Sequence, residues 1–408
     1  MRVGASPGSP GTLRRWAGLL VSVLAAVLIA WSLGTSGAEG EPQLAEGARA
    51  TGAQPALGGR SGGSPSPAPD RDGPGAQARR EREALLEEAQ QRLAQYRAAT
   101  RLPPHARPAR EQADRMTPVS PVRERPLSLN DEEGSGSELR LRLGQSRIAL
   151  AGDESVEVWL QCLDDASRVV GCEVEGFAHE AEHAQPSGGA AAPIPLTFRR
   201  EHRNVDGAAP GPVWIATLTP AREGFALYRG TLRLPVKVRA GETTGQAFFD
   251  GVYTGAPPAT LEPVVAESMD QGDLLLRLPI RVKEAGRYVF EARLDDAGGT
   301  PTALLTFNDV LPAGAQQLTF RLAGLLVHDE RPVFPLTLRD VEGFLLFETG
   351  DPDRAHVLPL SGQVHRTRSW KLADFGRDEW QGEQRQRYLD EFSADVERAQ
   401  AELDAPLP

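Results

Sequence analysis

The chain has 408 residues, enough for two or three domains, and a formal net charge of −11 at pH 7. This acidic balance argues against a nucleic-acid-binding protein, because phosphate contacts require a basic surface. Aromatic residues make up only 6%, and Gly and Pro are dense between residues 39 and 76, while Val, Leu, Ile and Phe are frequent after about residue 139. We therefore expect a poorly ordered N-terminal third and an ordered C-terminal region.

An apolar run from Trp16 to Leu33 contains no charged residue and meets the lower limit of about 18 residues for a membrane-spanning helix. Two indoles, Trp16 and Trp31, lie near its ends, where they favour the membrane interface. Arg14 and Arg15 precede the run and acidic residues follow it. Residues 1–38 are therefore predicted to form a cytoplasmic stub and a signal-anchor helix.

This orientation predicts a single-pass protein that is inserted in the inner membrane through residues 16–33, with a cytoplasmic N-terminus and a periplasmic bulk. The length of the run favours an uncleaved anchor. A signal peptide cleaved after Ala38 stays open as an alternative, since Ser36, Gly37 and Ala38 are small residues at suitable positions. Cleavage would release the protein into the periplasm.

Residues 39–138 are predicted to be a disordered tether rich in Pro and Gly. Within it, residues 77–99 have apolar side chains at helical spacing and predict a solvated or loosely docked helix. Arginines are frequent between residues 100 and 138. They could contact an anionic wall polymer, although such a stretch is more often a soluble linker.

After Glu138 the apolar residues alternate with polar ones over short segments separated by turn residues. This period of two predicts antiparallel strands, and its cadence is typical of β-sandwiches. The fold class is therefore mainly β, with one or two antiparallel sandwiches of immunoglobulin-like type. We place the first at residues 139–270 and the second at 271–365. A single larger sandwich with long insertions is the alternative.

Cys162 and Cys172 flank a segment whose sequence predicts a strand, a turn and a second strand. A hairpin would bring the two thiols opposite one another, and the predicted compartment is oxidising. We expect a disulfide between them. Two buried free thiols are the alternative.

Residues 366–408 are predicted to form a C-terminal extension with an amphipathic helix from about Asp374. One face of this helix contains apolar and aromatic residues and needs a partner. Packing back onto the sandwich is favoured, and docking to another protein is the alternative. The residues of this face are Trp380, Gln384, Tyr388, Phe392, Val396, Ala399 and Leu403.

Several turn and strand-end motifs lie in the second half, among them Gly286-Arg-Tyr288, Arg293 to Pro301, and Leu311-Pro-Ala-Gly314. With these motifs, residues 220–400 resemble uncharacterised β-sandwich modules of exported, membrane-anchored proteins from Gram-negative bacteria. The stretch Pro332 to Pro335 departs from the Gly-Pro-Tyr-like triplet of those modules. The resemblance implies fold and export and implies no catalytic residue.

The segment His179-Glu180-Ala181-Glu182-His183 matches the H-E-x-x-H pattern of zinc peptidases. In those enzymes a helix presents both His side chains to Zn²⁺ while the Glu activates a water. Here Gly176 and Pro186 bound the motif closely and little apolar sequence anchors it. We therefore expect a surface segment and no metal site, and we expect the chain to bind no cofactor.

The leading hypothesis is a non-enzymatic, membrane-anchored cell-envelope protein that presents β-sandwiches to another envelope component, a protein of unknown identity. Two alternatives stay open. One is a zinc-dependent hydrolase that uses His179, Glu180 and His183. The other is a purely structural periplasmic spacer.

Overall fold

The computed structural model describes residues 74–117, 121–127, 139–181, 193–350 and 352–406. These residues are mainly strand, the sheets are almost wholly antiparallel, and a helix closes the chain, as the composition and periodicity predicted. Within these ranges no helix is both long and apolar enough to cross a lipid bilayer. The predicted anchor at residues 16–33 and the cleavage position at Ala38 lie outside them.

The elements are numbered in chain order. The helices are α1 (Pro74–Thr100), α2 (Gly324–Glu330) and α3 (Glu383–Asp404). The strands are β1 (Ala106–Pro108), β2 (Val122–Pro126), β3 (Arg140–Gln145), β4 (Ala149–Ala151), β5 (Val156–Leu163), β6 (Val169–Val170), β7 (Glu173–Glu180), β8 (Ile194–Leu196), β9 (Arg199–Glu201), β10 (Val213–Leu218), β11 (Arg229–Ala240), β12 (Thr243–Thr254), β13 (Ala259–Leu261), β14 (Ala266–Asp270), β15 (Asp273–Val282), β16 (Gly286–Asp295), β17 (Pro301–Leu311), β18 (Gly314–Leu322), β19 (Thr337–Leu346) and β20 (Arg354–Arg366).

The first sandwich consists of two sheets that share one apolar core. Sheet I has the strand order β2-β3-β5-β10-β9, with β6 paired to β5, and sheet II has the order β4-β12-β11-β7-β8. The pair β4–β12 is parallel. In β11 the residues Leu232, Leu234, Val236 and Val238 are buried, while the residues between them face outward. This alternation explains why the sequence forms a strand with one apolar face.

The second sandwich has its own core. Sheet III has the order β1-β17-β16-β19-β20, and sheet IV joins β13, β14 and β18 to the central strand β15. Tyr288, Phe290 and Phe320 are among its fully buried side chains. The two separate cores define two sandwiches in the described part of the chain.

The border between the sandwiches lies earlier than the sequence predicted. Strands β13 and β14 both pair with β15, and Ala259 and Leu261 belong to the second core. The first core ends at Tyr253. The predicted border at residues 270 and 271 is therefore wrong, because two short strands in a segment rich in Pro and Glu carry too weak a periodicity to be recognised.

Residues 101–116, here called the strap, correct the prediction of a disordered linker. The strap contributes β1 to the edge of sheet III, and Leu102 and Ala106 lie in the second core. Its arginines form ion pairs within the protein: Arg101 with Asp329, Arg110 with Glu330 and Arg115 with Glu291. These side chains fasten the strap to the second sandwich. The chain then enters the first sandwich as β2, also inside the predicted tether.

The two predicted helices are partners of each other. A helix occupies Pro74–Thr100, where the sequence predicted one over 77–99, and α3 begins at Glu383 instead of near Asp374. Arg82 donates hydrogen bonds to the carbonyls of Glu402 and Ala405, while Arg385 contacts the Thr100 hydroxyl. The helices therefore run antiparallel. The apolar face of the tail helix packs on α1 and not on a sandwich core.

Candidate functional site

A cleft of about 290 Å³ lies between the two sandwiches and is the candidate functional site. Ligand sites form preferentially in clefts between domains, where apolar walls and a few polar groups converge. The first sandwich contributes the residues just before and after the start of β4. The second sandwich contributes the outer face of sheet III, mainly from β16, β19 and β20.

The floor of the cleft is ordered by the register of two strands. Val289 of β16 is paired with Phe344 of β19, and the next pair that faces the same way is Glu291 with Glu342. All four residues line the cleft. Because side chains two residues apart in a strand share a face, the floor has an apolar row, Val289–Phe344, and an acid row, Glu291–Glu342.

The opposite wall carries an apolar side chain and an ion pair. Ile148, 38% exposed, lines the cleft beside Arg147, which pairs with Glu154. Glu154 also accepts a hydrogen bond from the Ala151 amide at 2.9 Å. Burial raises the pKa of the Glu154 carboxyl, an effect opposed by that hydrogen bond and by Arg147.

His356 of β20 joins the two sandwiches at the cleft. Its backbone amide donates a hydrogen bond to the Thr254 hydroxyl at 2.9 Å, and its ring packs edge-on to Phe344 with 5.8 Å between centroids. Burial, helped by the nearby Arg354, lowers the pKa of His356 to about 4, although Asp353 opposes this shift. The imidazole is therefore neutral at neutral pH and belongs to the apolar part of the lining.

A fourth carboxylate of the cleft, Asp340, lies beside the acid row in a left-handed backbone conformation with φ of 49°. A residue other than glycine rarely adopts this backbone conformation, which costs roughly 1 kcal/mol or more. Hydrogen bonds from the Gly362 amide and from Arg339, both 2.7 Å long, hold the carboxylate in place. The strained residue lies within a bulged part of the β19–β20 pairing.

The structure does not place the H-E-x-x-H segment on a helix. His179 and Glu180 belong to strand β7, and the Nδ1 atom of His179 lies 2.6 Å from the carbonyl oxygen of Glu180. His183 lies outside the described residues. Within the described ranges, no group of three or more His, Cys, Asp or Glu side chains is arranged to hold a metal ion.

The two cysteines are joined beside sheet I, since Cys162 lies on β5 and Cys172 lies between β6 and β7. Cys162 at the end of β5 is joined to Cys172 by a disulfide with 6.4 Å between their Cα atoms. Cys162 is 1% exposed and belongs to the first core. The indole of Trp214 donates a hydrogen bond to the Cys172 carbonyl at 3.2 Å. The bridge therefore closes the short segment that contains β6 onto the sheet.

The residues of the cleft were missed by the sequence analysis. Ile148 and Phe344 are far apart in sequence and come from different sandwiches, so no local motif links them. Alternation in β16 and β19 does predict that Val289 and Glu291 share one face, and likewise Glu342 and Phe344. The sequence contains no signal for the pairing of these two strands or for the wall opposite them.

No family model matches the chain, and no curated protein matches it. Solved structures with partial likeness include a DUF4785 family protein from Legionella pneumophila, with 16% identity, a TM-score of 0.35 and coverage of 58% of each chain. Alpha-2-macroglobulin of Escherichia coli has 10% identity and a TM-score of 0.25 over 58% of this chain and 15% of that one.

The adhesin InvE of Yersinia pseudotuberculosis has 14% identity and a TM-score of 0.17, with coverage of 52% of this chain and 56% of the adhesin. The chain thus spans less than two thirds of each of these proteins. At such TM-scores the likenesses say nothing about what the chain binds or does.

Proposed function

We propose that this chain is a non-enzymatic cell-envelope protein that binds another envelope protein in the cleft between its two sandwiches. The observation that supports the proposal is the cleft itself. Ile148 of the first sandwich and the apolar row Val289–Phe344 of the second sandwich line the same cleft. Partly exposed apolar side chains in a concave site at a domain border are typical of binding sites.

The place of the protein in the cell is part of the same proposal. The apolar run at residues 16–33, preceded by Arg14 and Arg15, supports an inner-membrane anchor with the sandwiches in the periplasm. Fractionation of cells, with antibodies against residues 1–15 and against the second sandwich, tests it. Both epitopes on one membrane-bound chain would support the anchor, and a periplasmic chain that begins after Ala38 would support cleavage instead.

A photoreactive amino acid at position 148 tests the binding function in the full-length chain in native membranes. Ile148 is exposed and lines the cleft, whereas Val310, 58% exposed on β17, does not line it. The probe at 148 should form one discrete adduct with an envelope protein, and the matched probe at 310 should not. Equal adducts from both positions, or none from 148, would contradict binding in the cleft and would favour the structural spacer.

The zinc-hydrolase alternative predicts bound zinc and loss of activity in Glu180→Gln. Strand geometry at His179 and Glu180 speaks against the helical presentation that such a site needs. Elemental analysis of the purified full chain gives the zinc content directly. Stoichiometric zinc together with peptide hydrolysis that Glu180→Gln abolishes would overturn the proposal of a non-enzymatic protein.

A further inference from the structure

The outer face of sheet III has three successive rows of side chains along β16 and β19, and each row differs in chemical character from the next. The apolar row Val289–Phe344 is followed by the acid row Glu291–Glu342. Beyond a bulge in the pairing, Arg293 lies opposite Arg339, and this pair is here called the basic row. Only the first two rows line the cleft together. The cleft therefore presents an apolar surface next to a pair of carboxylates.

The acid row places two like charges directly opposite each other, an arrangement that is destabilising unless it is compensated. Arg115 of the strap pairs with Oε1 of Glu291, and Arg293 pairs with Oε1 of Glu342 at 2.6 Å. The Oε2 atom of each carboxylate has no hydrogen-bond partner among the described residues. Each carboxylate is thus held from one side and retains one acceptor oxygen.

The basic row is not available to an anionic ligand. Arg293 is only 2% exposed, and it donates hydrogen bonds to the carbonyls of Arg115 and Asp340 as well as to Glu342. Arg339 is committed to Asp295, to Asp340 and to the Met116 carbonyl. The strap therefore covers the guanidinium groups and leaves the carboxylates facing the cleft.

The lining of the cleft itself is acidic. It contains Glu154, Glu291, Asp340 and Glu342 and one arginine, Arg147, which is paired with Glu154. The arginines that pair with the other three acids lie outside the lining: Arg115, Arg339 and Arg293. Burial keeps His356 uncharged at neutral pH. A ligand that places a positive charge on the acid row gains charge-assisted hydrogen bonds, whereas an anion would meet two carboxylates.

We infer that the cleft recognises an extended segment of a partner protein in which a Lys or Arg is separated by one residue from an apolar residue. This inference rests on the proposed function, because it names the chemistry of the ligand that binds the same cleft. The spacing follows from the floor: adjacent rows on one face of a strand are about 7 Å apart, which is the distance between residues i and i+2 of an extended peptide.

In this arrangement the apolar side chain of the partner packs on Val289 and Phe344 and is covered by Ile148. The ammonium or guanidinium group of the partner's Lys or Arg then lies over the acid row and donates hydrogen bonds to the Oε2 atoms of Glu291 and Glu342. Arginine fits this site better than lysine because its planar fork can donate to both carboxylates.

Fluorescently labelled pentapeptides test the inference by anisotropy on the purified full chain in lipid nanodiscs. The probe acetyl-Ser-Leu-Ser-Arg-Ser should bind saturably and more weakly as salt is raised. Citrulline in place of Arg keeps the shape and removes the charge, and it should weaken binding about tenfold. A third peptide with Leu and Arg adjacent, acetyl-Ser-Ser-Leu-Arg-Ser, should also bind more weakly, since its side chains face opposite ways.

Glu291→Gln is the informative variant, because its ion-pair partner Arg115 is 38% exposed and tolerates the loss of the carboxylate. Glu342→Gln would leave the buried Arg293 without its counter-charge, so it is not used. Glu291→Gln should reduce the preference for Arg over citrulline without weakening the binding of the citrulline peptide, which structural damage would weaken as well. Glu348→Gln, an exposed acid outside the lining, should leave both affinities unchanged.

Equal binding of the Arg and citrulline peptides, or an equal effect of Glu291→Gln and Glu348→Gln, would overturn the recognition of a cation. The photoreactive probe at position 148 separates this failure from that of the proposed function. An adduct that forms equally well in Glu291→Gln leaves binding in the cleft intact and rejects the basic residue. Absence of any adduct, together with no peptide binding, rejects both.

Discussion

The ring of Tyr96 in α1 packs edge-on against the ring of Phe392 in α3, with 5.1 Å between their centroids. Tyr388 completes an aromatic trio, 5.8 Å from Tyr96 and 6.3 Å from Phe392. Residues near the two ends of the described chain are thereby joined. Helix α1, which lies inside the predicted tether, is held to the C-terminal tail, and the strap connects this pair of helices to the second sandwich.

The aromatic trio should decide whether the helices stay together. Phe392→Ala is expected to cost about 1–2 kcal/mol, because a half-buried aromatic side chain and two ring contacts are lost. Amide hydrogens of α1 should then exchange faster, while those of sheet III keep their protection. Leu85→Ala, at a position 52% exposed on α1, is the matched control. Unchanged exchange in α1 of Phe392→Ala would show that other contacts hold the helices.

Arg293 should hold the strap in place. Arg293→Met keeps much of the side-chain volume but leaves the carbonyls of Arg115 and Asp340 without their donor. The expected loss is about 2–4 kcal/mol in the free energy of unfolding, since buried acceptors become unsatisfied. Urea denaturation measures it, and Arg287→Met, at an exposed position of the same strand, gives the reference. Equal midpoints for the two variants would contradict this role.

The Cys162–Cys172 bridge should stabilise the first sandwich. Its sequence separation is 10, so the chain-entropy estimate for replacing both cysteines by serine is a loss of about 2–3 kcal/mol. Thermal unfolding with and without reductant measures the effect. Reductant should lower the midpoint of the parent protein and leave that of the double variant unchanged. If the midpoint of the parent protein does not change in reductant although free thiols are detected, the prediction is wrong.

Much of the fold could be predicted because periodicity is a local property. The alternation of Leu232, Leu234 and Val236 with more polar residues predicts a strand, and the spacing of Leu86, Ala89 and Leu93 predicts a helix. The strap and the border could not be predicted in this way. Strand β1 has only three residues, of which one is charged (Arg107) and one is a proline (Pro108). Its pairing with β17 depends on residues almost 200 positions away.

The candidate site depends even more on tertiary structure. The acid row exists only because β16 and β19 pair with Glu291 opposite Glu342, and the cleft exists only because a second sandwich supplies Ile148. By contrast, the H-E-x-x-H segment satisfies a sequence pattern without its structural context, since His179 lies on a strand. A motif carries chemistry only where the backbone presents it correctly.

The imidazole of His356 should make stability depend on pH. Its pKa falls from 6.5 to about 4 on folding, chiefly through burial. Between these two pKa values the imidazole is protonated in the unfolded chain and neutral in the folded chain. The free energy of unfolding therefore decreases as the pH falls from about 6.5 to about 4, by up to about 3 kcal/mol. Glu154, whose pKa is raised by burial, contributes with the opposite sign, and its contribution is common to parent and variant.

The difference between the urea-unfolding free energies of the parent and of His356→Gln, followed across this range, isolates the histidine. The variant should lose stability at neutral pH through lost packing and approach the parent as the pH falls. A difference that stays constant with pH would mean that the folded protein accommodates the protonated ring.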